Sequence, residues 1–198
     1  MNGLGVSRVL SGALAAWCCL GVASVGAAER SEPASTAQQR PTRAPQVPVT
    51  ATAIAEHTSV QPGGSTRIGI LFEIEDGWHI YWKDPGDAGV ATKVEWSGPA
   101  GVSISTLDWP APQEFVDAGN IHTFGYTESV ALSNVLAMTP EASGLTAVPL
   151  QAKVRWVACE HICLPGSTTR DLSLPVSTEP PALSANANRF PPVHSNRD

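Results

Sequence analysis

The chain has 198 residues, with 12 Lys or Arg against 18 Asp or Glu, so its formal net charge is −6. This acidic balance without basic clusters argues against a nucleic-acid-binding surface, which requires a cationic face. A hydrophobic content of 42% excludes wholesale disorder, and 17 Gly and 17 Pro favour short strands and turns over long helices.

Residues 1–28 have the pattern of a secretory signal peptide. Arg8 is the only charged residue among them, and residues 9–28 are uncharged and rich in Ala, Gly and Ser. Small side chains end the run, so we expect cleavage after Ala27 or Ala28. An uncleaved signal anchor is the alternative, because about 20 apolar residues can span a bilayer. Cleavage is favoured because so many small residues form a weak membrane span, and we then expect no stable membrane insertion.

The segments that flank the central region are predicted to lack a core of their own. Residues 29–47 are polar and almost free of large apolar side chains, so we expect a flexible leader. Residues 177–198 are rich in Pro and lack alternation, so we expect a disordered tail.

Residues 48–176 are predicted to form an all-β domain. Ile68, Ile70, Phe72 and Ile74 alternate with other residues and would share one face of a strand. Turn signals separate the runs, and no convincing helix lies between them. This spacing predicts an immunoglobulin-like antiparallel β-sandwich. The predicted strands are residues 49–55, 66–75, 102–109, 129–138, 148–158 and 169–176.

A Cys-x3-Cys motif follows the fifth predicted strand. In an extended chain, the Cα atoms of Cys159 and Cys163 would be about 13 Å apart, whereas a disulfide needs about 4.4–6.8 Å. A tight turn through the three intervening residues would place the two cysteines opposite each other. The sequence therefore allows a disulfide across the mouth of a hairpin.

Three interpretations of this motif remain open. A structural disulfide over so short a loop would stabilise the fold by only about 2 kcal/mol, against about 4.7 for a loop of about 100 residues. Redox exchange is favoured for that reason, with protonated His161 favouring a thiolate and Glu160 opposing it. Alternatively, Cys159, His161 and Cys163 could bind a soft ion such as Cu(I).

The chain from about residue 49 to 176 resembles the N-terminal periplasmic domain of the DsbD/ScsB family of thiol:disulfide interchange proteins. The resemblance rests on residues 76–89 (DGWHIYWKDPGDAG), on the Trp-Pro-Ala-Pro and Phe-Gly-Tyr segments at 109–112 and 124–126, and on residues 156–165. The Cys-x3-Cys spacing is closer to the ScsB-like branch.

The resemblance implies an immunoglobulin-like sandwich with the redox pair Cys159 and Cys163 near one end. It also implies a periplasmic location and electrons received from a thioredoxin-like domain or membrane electron transporter supplied in trans. The electrons would pass to periplasmic client proteins that contain disulfides, with no cofactor beyond the two thiols. As an enzyme, such a protein would be a thiol:disulfide oxidoreductase of the protein-disulfide reductase type.

The family also has an aromatic cap loop that shields the cysteine pair. The matching segment is residues 122–126, with Phe124 predicted as the cap and Tyr126 beside it. The alternative is that both are ordinary core aromatics. Residues 84–87 are predicted to form a turn.

Two other functions remain as alternatives. A copper(I)-handling protein, involved in copper tolerance, would use the same cysteines. A non-redox β-sandwich interaction module would keep them only as a structural disulfide. Because family members continue into membrane helices and a thioredoxin-like domain, the chain is expected to be either a separate subunit or a fragment.

Overall fold

The computed structural model describes residues 48–139, 142 and 144–191, and its architecture is a β-sandwich. Within these residues the structure has ten strands: β1 (Val49–Ala55), β2 (Ser65–Ile74), β3 (His79–Gly86), β4 (Lys93–Ser97), β5 (Val102–Ile104), β6 (Gln113–Asp117), β7 (Ile121–Tyr126), β8 (Ser129–Met138), β9 (Ala147–Cys159) and β10 (Cys163–Pro175). A short 3-10 helix covers Ala187–Arg189. Within these described residues, no helix is both long enough and apolar enough to cross a bilayer.

The strands form two antiparallel sheets. One has the order β1-β2-β8-β5, and the other has the order β10-β9-β3-β7-β6, with β4 also paired to β9 over residues 151–155. Strands β9 and β10 are the longest, at 13 residues each, and β10 lies at the edge of its sheet. The prediction of an all-β, immunoglobulin-like antiparallel sandwich is confirmed.

The core lies between the two sheets and follows the period-two pattern of the sequence. Ile68, Ile70, Phe72 and Ile74 of β2 are all buried, as the alternation predicts. The ring of Phe72 meets Trp156 of β9 edge-on, with the ring centroids 5.8 Å apart. Each such large apolar side chain contributes roughly 1.5–3 kcal/mol when fully buried, so this contact helps to fix β9 against the opposite sheet.

Several strand predictions need correction. The run at 102–109 gives only the three residues of β5, and β10 begins at Cys163, six residues before the predicted start. Strands β3, β4, β6 and β7 were not predicted. The turn expected at residues 84–87 begins later, because β3 continues to Gly86, which pairs with Thr123 of β7.

The tail is ordered over residues 177–191, so the prediction of disorder is wrong for this part. Its backbone bonds to the end of β1: the Ser184 amide donates to the Glu56 carbonyl at 2.8 Å. Phe190 is only 6% exposed and packs with Ile54, Leu71 and Ala131. One aromatic anchor and a few backbone hydrogen bonds thus order a segment whose composition is otherwise polar.

Three predicted segments lie outside the described residues. They are the signal peptide at 1–28, the leader at 29–47 and the last part of the tail at 192–198.

Candidate functional site

The two cysteines lie at the end of the β9–β10 hairpin. In the antiparallel register Cys163 is directly opposite Cys159, and the three residues between them form the turn. The amide of Glu160 donates a hydrogen bond to the carbonyl of Ile162 at 3.2 Å across this turn. The sulfurs are bonded at 2.01 Å, with the Cα atoms 4.2 Å apart. The hairpin disulfide that the sequence allows is therefore present.

The two halves of the disulfide differ sharply in exposure. Cys159 is 3% exposed, whereas Cys163 is exposed. The difference follows from the sheet order, because Cys159 has a neighbouring strand on each side whereas Cys163 begins the edge strand. An attacking thiolate from another protein would therefore reach Cys163 more easily than Cys159.

Strand β3 supplies the wall of the site beside Cys159. His79 pairs with Cys159 in the β3–β9 register. Two residues later on the same face of the strand, the hydroxyl of Tyr81 donates a hydrogen bond to Cys159 Sγ at 3.1 Å. The His79 ring meets the Tyr81 ring edge-on, with centroids 5.1 Å apart. This geometry places a fixed hydrogen-bond donor on the buried sulfur.

An aromatic side chain of β6 covers His79. The Phe115 ring stacks on the imidazole with centroids 4.6 Å apart and an interplanar angle of 21°. Burial lowers the pKa of His79, and the nearby carboxylate of Asp117 partly opposes this shift. Burial and Asp117 both raise the pKa of Tyr81. His79 is thus held towards its neutral form, and Tyr81 stays a protonated donor.

The turn residues Glu160 and His161, predicted to tune the cysteine pair, are both exposed. The carboxylate of Glu160 lies beside the backbone of Gly77, where an added Cβ would be 2.8 Å from Glu160 Oε1. Gly77 also has a φ of +86°, which favours glycine. The turn before β3 therefore packs closely against the tip of the hairpin.

The predicted cap residues lie on β7. Phe124 is half-buried, and its ring lies close to Gly86, where an added Cβ would be 3.2 Å from Phe124 Cδ2. Tyr126 is buried in the main core, and its hydroxyl donates to the Pro110 carbonyl at 2.7 Å. This placement fits the core alternative for Tyr126, and a capping role for Phe124 stays a prediction.

Sequence reasoning missed His79 and Tyr81 as the residues beside Cys159, and it missed Phe115 as the ring that stacks on His79. The available signal for β3 was the period-two spacing of His79 and Tyr81 within the family-like segment at residues 76–89. Nothing in the local sequence indicates that Phe115 stacks on β3, because that contact depends on how β6 folds back through β7.

The metal alternative gains no support from the geometry. Among the residues that the structure describes, no three His, Cys, Asp or Glu side chains are arranged to hold a metal ion. In the disulfide form both candidate thiolates are bonded to each other. Copper binding by Cys159, His161 and Cys163 therefore stays a prediction for the reduced protein.

The family model described as "Thiol:disulfide interchange protein DsbD, N-terminal" matches residues 46–175, about two thirds of the chain. No curated protein matches the chain at a significant level.

Among solved structures, the chain is similar to the N-terminal periplasmic domain of ScsB from Proteus mirabilis, at 28% identity and a TM-score of 0.48. That match covers 69% of this chain and 48% of the ScsB chain, so the chain spans about half the length of that relative.

Two structures from Neisseria meningitidis are also similar. The reduced DsbD N-terminal domain matches at 17% identity and a TM-score of 0.38, covering 63% of this chain and 85% of the other. A complex of the DsbD and PilB N-terminal domains matches at 18% identity and a TM-score of 0.30, covering 60% and 80%.

Proposed function

Because the chain belongs to the family of the N-terminal domain of the thiol:disulfide interchange protein DsbD, we propose that it relays electrons through the Cys159–Cys163 disulfide. The observation that supports this most directly is the unequal exposure of the two cysteines. A disulfide that only stabilised a hairpin would need no reachable sulfur. The relay would operate in the periplasm and would need no cofactor beyond the thiols.

Reduction would begin at the exposed sulfur. A thiolate of the electron donor attacks Cys163 Sγ, which forms a mixed disulfide and releases Cys159 as a thiolate. The Tyr81 hydroxyl, already 3.1 Å from Cys159 Sγ, is placed to stabilise that thiolate. A second thiol of the donor then resolves the mixed disulfide and leaves a dithiol on this protein. A thioredoxin-like domain or a membrane electron transporter, supplied in trans, fits the role of donor.

The dithiol would reduce a client by the reverse sequence. Cys163 attacks the client disulfide, Cys159 resolves the mixed disulfide, and the client leaves as a dithiol. The clients would be periplasmic proteins that contain disulfides.

An aromatic cap would limit these reactions to partners that displace it. The family resemblance favours Phe124 for this role, whereas the stack on His79 favours Phe115, because His79 is the register partner of Cys159. We propose Phe115 as the cap and keep Phe124 as the alternative.

The proposal is tested by titrating the purified protein against glutathione. We expect a reduction potential between about −180 and −270 mV, the range of exchange proteins, whereas structural disulfides lie below about −300 mV. A reduction potential below about −300 mV would contradict the relay.

Trapping experiments test the order of attack. We expect Cys159→Ser to form a stable mixed disulfide with a small disulfide probe through the exposed Cys163. The matched variant Cys163→Ser, which retains only the buried Cys159, should react far more slowly. Equal rates for the two variants would contradict attack at Cys163.

A further inference from the structure

A second group beside the buried sulfur has no role in the exchange described so far. His79 is directly opposite Cys159 in the β3–β9 register. Side chains at opposed positions of two antiparallel strands point to the same face, with Cβ atoms about 4.5–5.5 Å apart. The His79 ring is also held between Tyr81 and Phe115 by an edge contact and a stack. The imidazole is therefore fixed on the side of the sheet that Cys159 faces.

One nitrogen of this imidazole lacks a partner. His79 Nε2 is buried, and it forms no hydrogen bond with any of the described residues. A buried polar atom without a partner costs free energy, and a hydrogen bond that forms in another state of the protein is one explanation for it. Reduction of the disulfide creates such a state, because Cys159 then carries a thiol proton that needs an acceptor.

We propose that His79 Nε2 accepts the proton of the Cys159 thiol when the reduced protein transfers its electrons. The inference rests on the proposed exchange function. It adds a proton-accepting residue to a reaction that otherwise involves only sulfur atoms.

The step is balanced as follows. Cys163 thiolate first attacks the client disulfide, which breaks the client S–S bond, forms a mixed disulfide and releases one client thiolate. The Cys159 thiol then gives its proton to His79 Nε2, and the resulting thiolate attacks Cys163 Sγ. The Cys159–Cys163 bond forms, the bond from Cys163 to the client breaks, and the second client thiolate takes the proton back from His79. Two electrons pass from this protein to the client.

The state of His79 suits this role. Burial lowers its pKa, so the ring is neutral at pH 7 and can accept a proton. The Tyr81 hydroxyl cannot replace it as acceptor, because its raised pKa keeps it protonated. The Asp117 carboxylate of β6 is exposed and favours protonation of His79, which would stabilise the imidazolium once it forms.

The other charged side chains around the site either pair with another side chain or are exposed to solvent. Glu114 of β6 pairs with His122 of β7, with Glu114 Oε1 2.7 Å from His122 Nδ1. Glu160 lies beside Gly77, and His161 is exposed on the hairpin turn. Of the ionisable side chains near the cysteines, His79 is therefore the best-placed acceptor for the buried thiol.

The test follows the reaction of the reduced protein with oxidised glutathione in two phases. The first phase is formation of the Cys163–glutathione mixed disulfide, and the second is its resolution by Cys159 with release of glutathione. Both are measured by acid quenching and mass spectrometry across a range of pH.

We expect His79→Phe, which retains an aromatic ring for Phe115 to stack on, to leave the first phase unchanged. The second phase should slow on the order of 10²-fold near neutral pH, the usual contribution of a positioned base. Its rate should instead rise with pH towards the ordinary thiol pKa of about 8.5. His79→Gln should behave in the same way, because an amide cannot accept the proton, and it serves as the second variant if the Phe variant does not fold.

The control is His57→Gln, which alters a histidine bonded to Thr66 Oγ1 beside the other sheet and should leave both phases unchanged. Resolution by both His79 variants at the wild-type rate and with the wild-type pH profile would overturn the inference and leave the exchange proposal intact. A wild-type protein that never reacts with oxidised glutathione would overturn both.

Discussion

At the scale of single residues, Tyr81 offers a direct test of how the site treats the buried sulfur. Its hydroxyl donates to Cys159 Sγ at 3.1 Å. Hydrogen bonds to charged groups contribute about 1.5–3 kcal/mol, so Tyr81→Phe should raise the pKa of the Cys159 thiol by about one unit or more. The measurement is thiolate ultraviolet absorbance against pH in reduced protein with Cys163→Ser.

The control for this experiment is Tyr126→Phe, which removes a hydroxyl that bonds to the Pro110 carbonyl instead. It should leave the thiol pKa unchanged. An unchanged pKa in the Tyr81 variant would show that the hydroxyl does not stabilise the thiolate.

The two cap candidates are also distinguished by single substitutions. Phe115→Ala removes the ring that stacks on His79, so we expect the disulfide to react faster with dithiothreitol. Phe124→Ala, which removes a half-buried ring near Gly86, should leave this rate unchanged. The rates are measured under pseudo-first-order conditions. The opposite result would favour the cap predicted from the sequence.

Residue-level prediction from the sequence succeeded where the information is local. The spacing of Cys159 and Cys163 allows a hairpin disulfide whatever surrounds it. Their unequal burial depends on which strand lies at the sheet edge, and the stack of Phe115 on His79 depends on a distant strand. Neither can be read from a short segment.

At the scale of elements, strand prediction depended on the alternation of side chains. Strands β1, β2, β8 and β9 were found within one residue of their observed bounds, and β9 shows the clearest alternation of buried and exposed residues. Strand β3 was missed because it has aromatic residues on both faces and ends in Asp-Pro-Gly, a typical turn sequence. Strands β6 and β7 were missed because they are short and contain many polar residues.

The ordered tail can be tested as an element in the same way. Phe190 packs with Ile54, Leu71 and Ala131 and lies 5.2 Å from the Arg67 guanidinium. Phe190→Ala should lower the free energy of unfolding by about 3 kcal/mol, measured by urea denaturation.

The reduction potential of this variant should not change, because the tail packs against the sheet that lacks the cysteines. The control Leu183→Ala alters a side chain that is 67% exposed and should leave stability unchanged. No loss of stability in the Phe190 variant would show that the tail contributes little to the fold.

At the scale of the whole molecule, stability should depend on pH in two stages. The pKa of His79 is lowered from its ordinary 6.5, so the unfolded chain binds this proton more readily and stability rises with pH through that region. The pKa of Glu56 is lowered from 4.5, chiefly by its hydrogen bond from Arg67, so its contribution is present above pH 4.5 and is lost as pH falls through the folded pKa.

Urea denaturation at a series of pH values measures both stages. We expect His79→Phe to flatten the change near neutral pH and Glu56→Gln to flatten the change in acid. A profile that keeps both stages in the two variants would assign the pH dependence to other groups.

The burial of Cys159 has one more consequence, for association between copies of the folded domain. A domain that offers a single reachable sulfur has a covalent valence of one. When the Cys159–Cys163 disulfide is reduced, an oxidant can therefore join two such domains through Cys163, but it cannot link them into a growing chain.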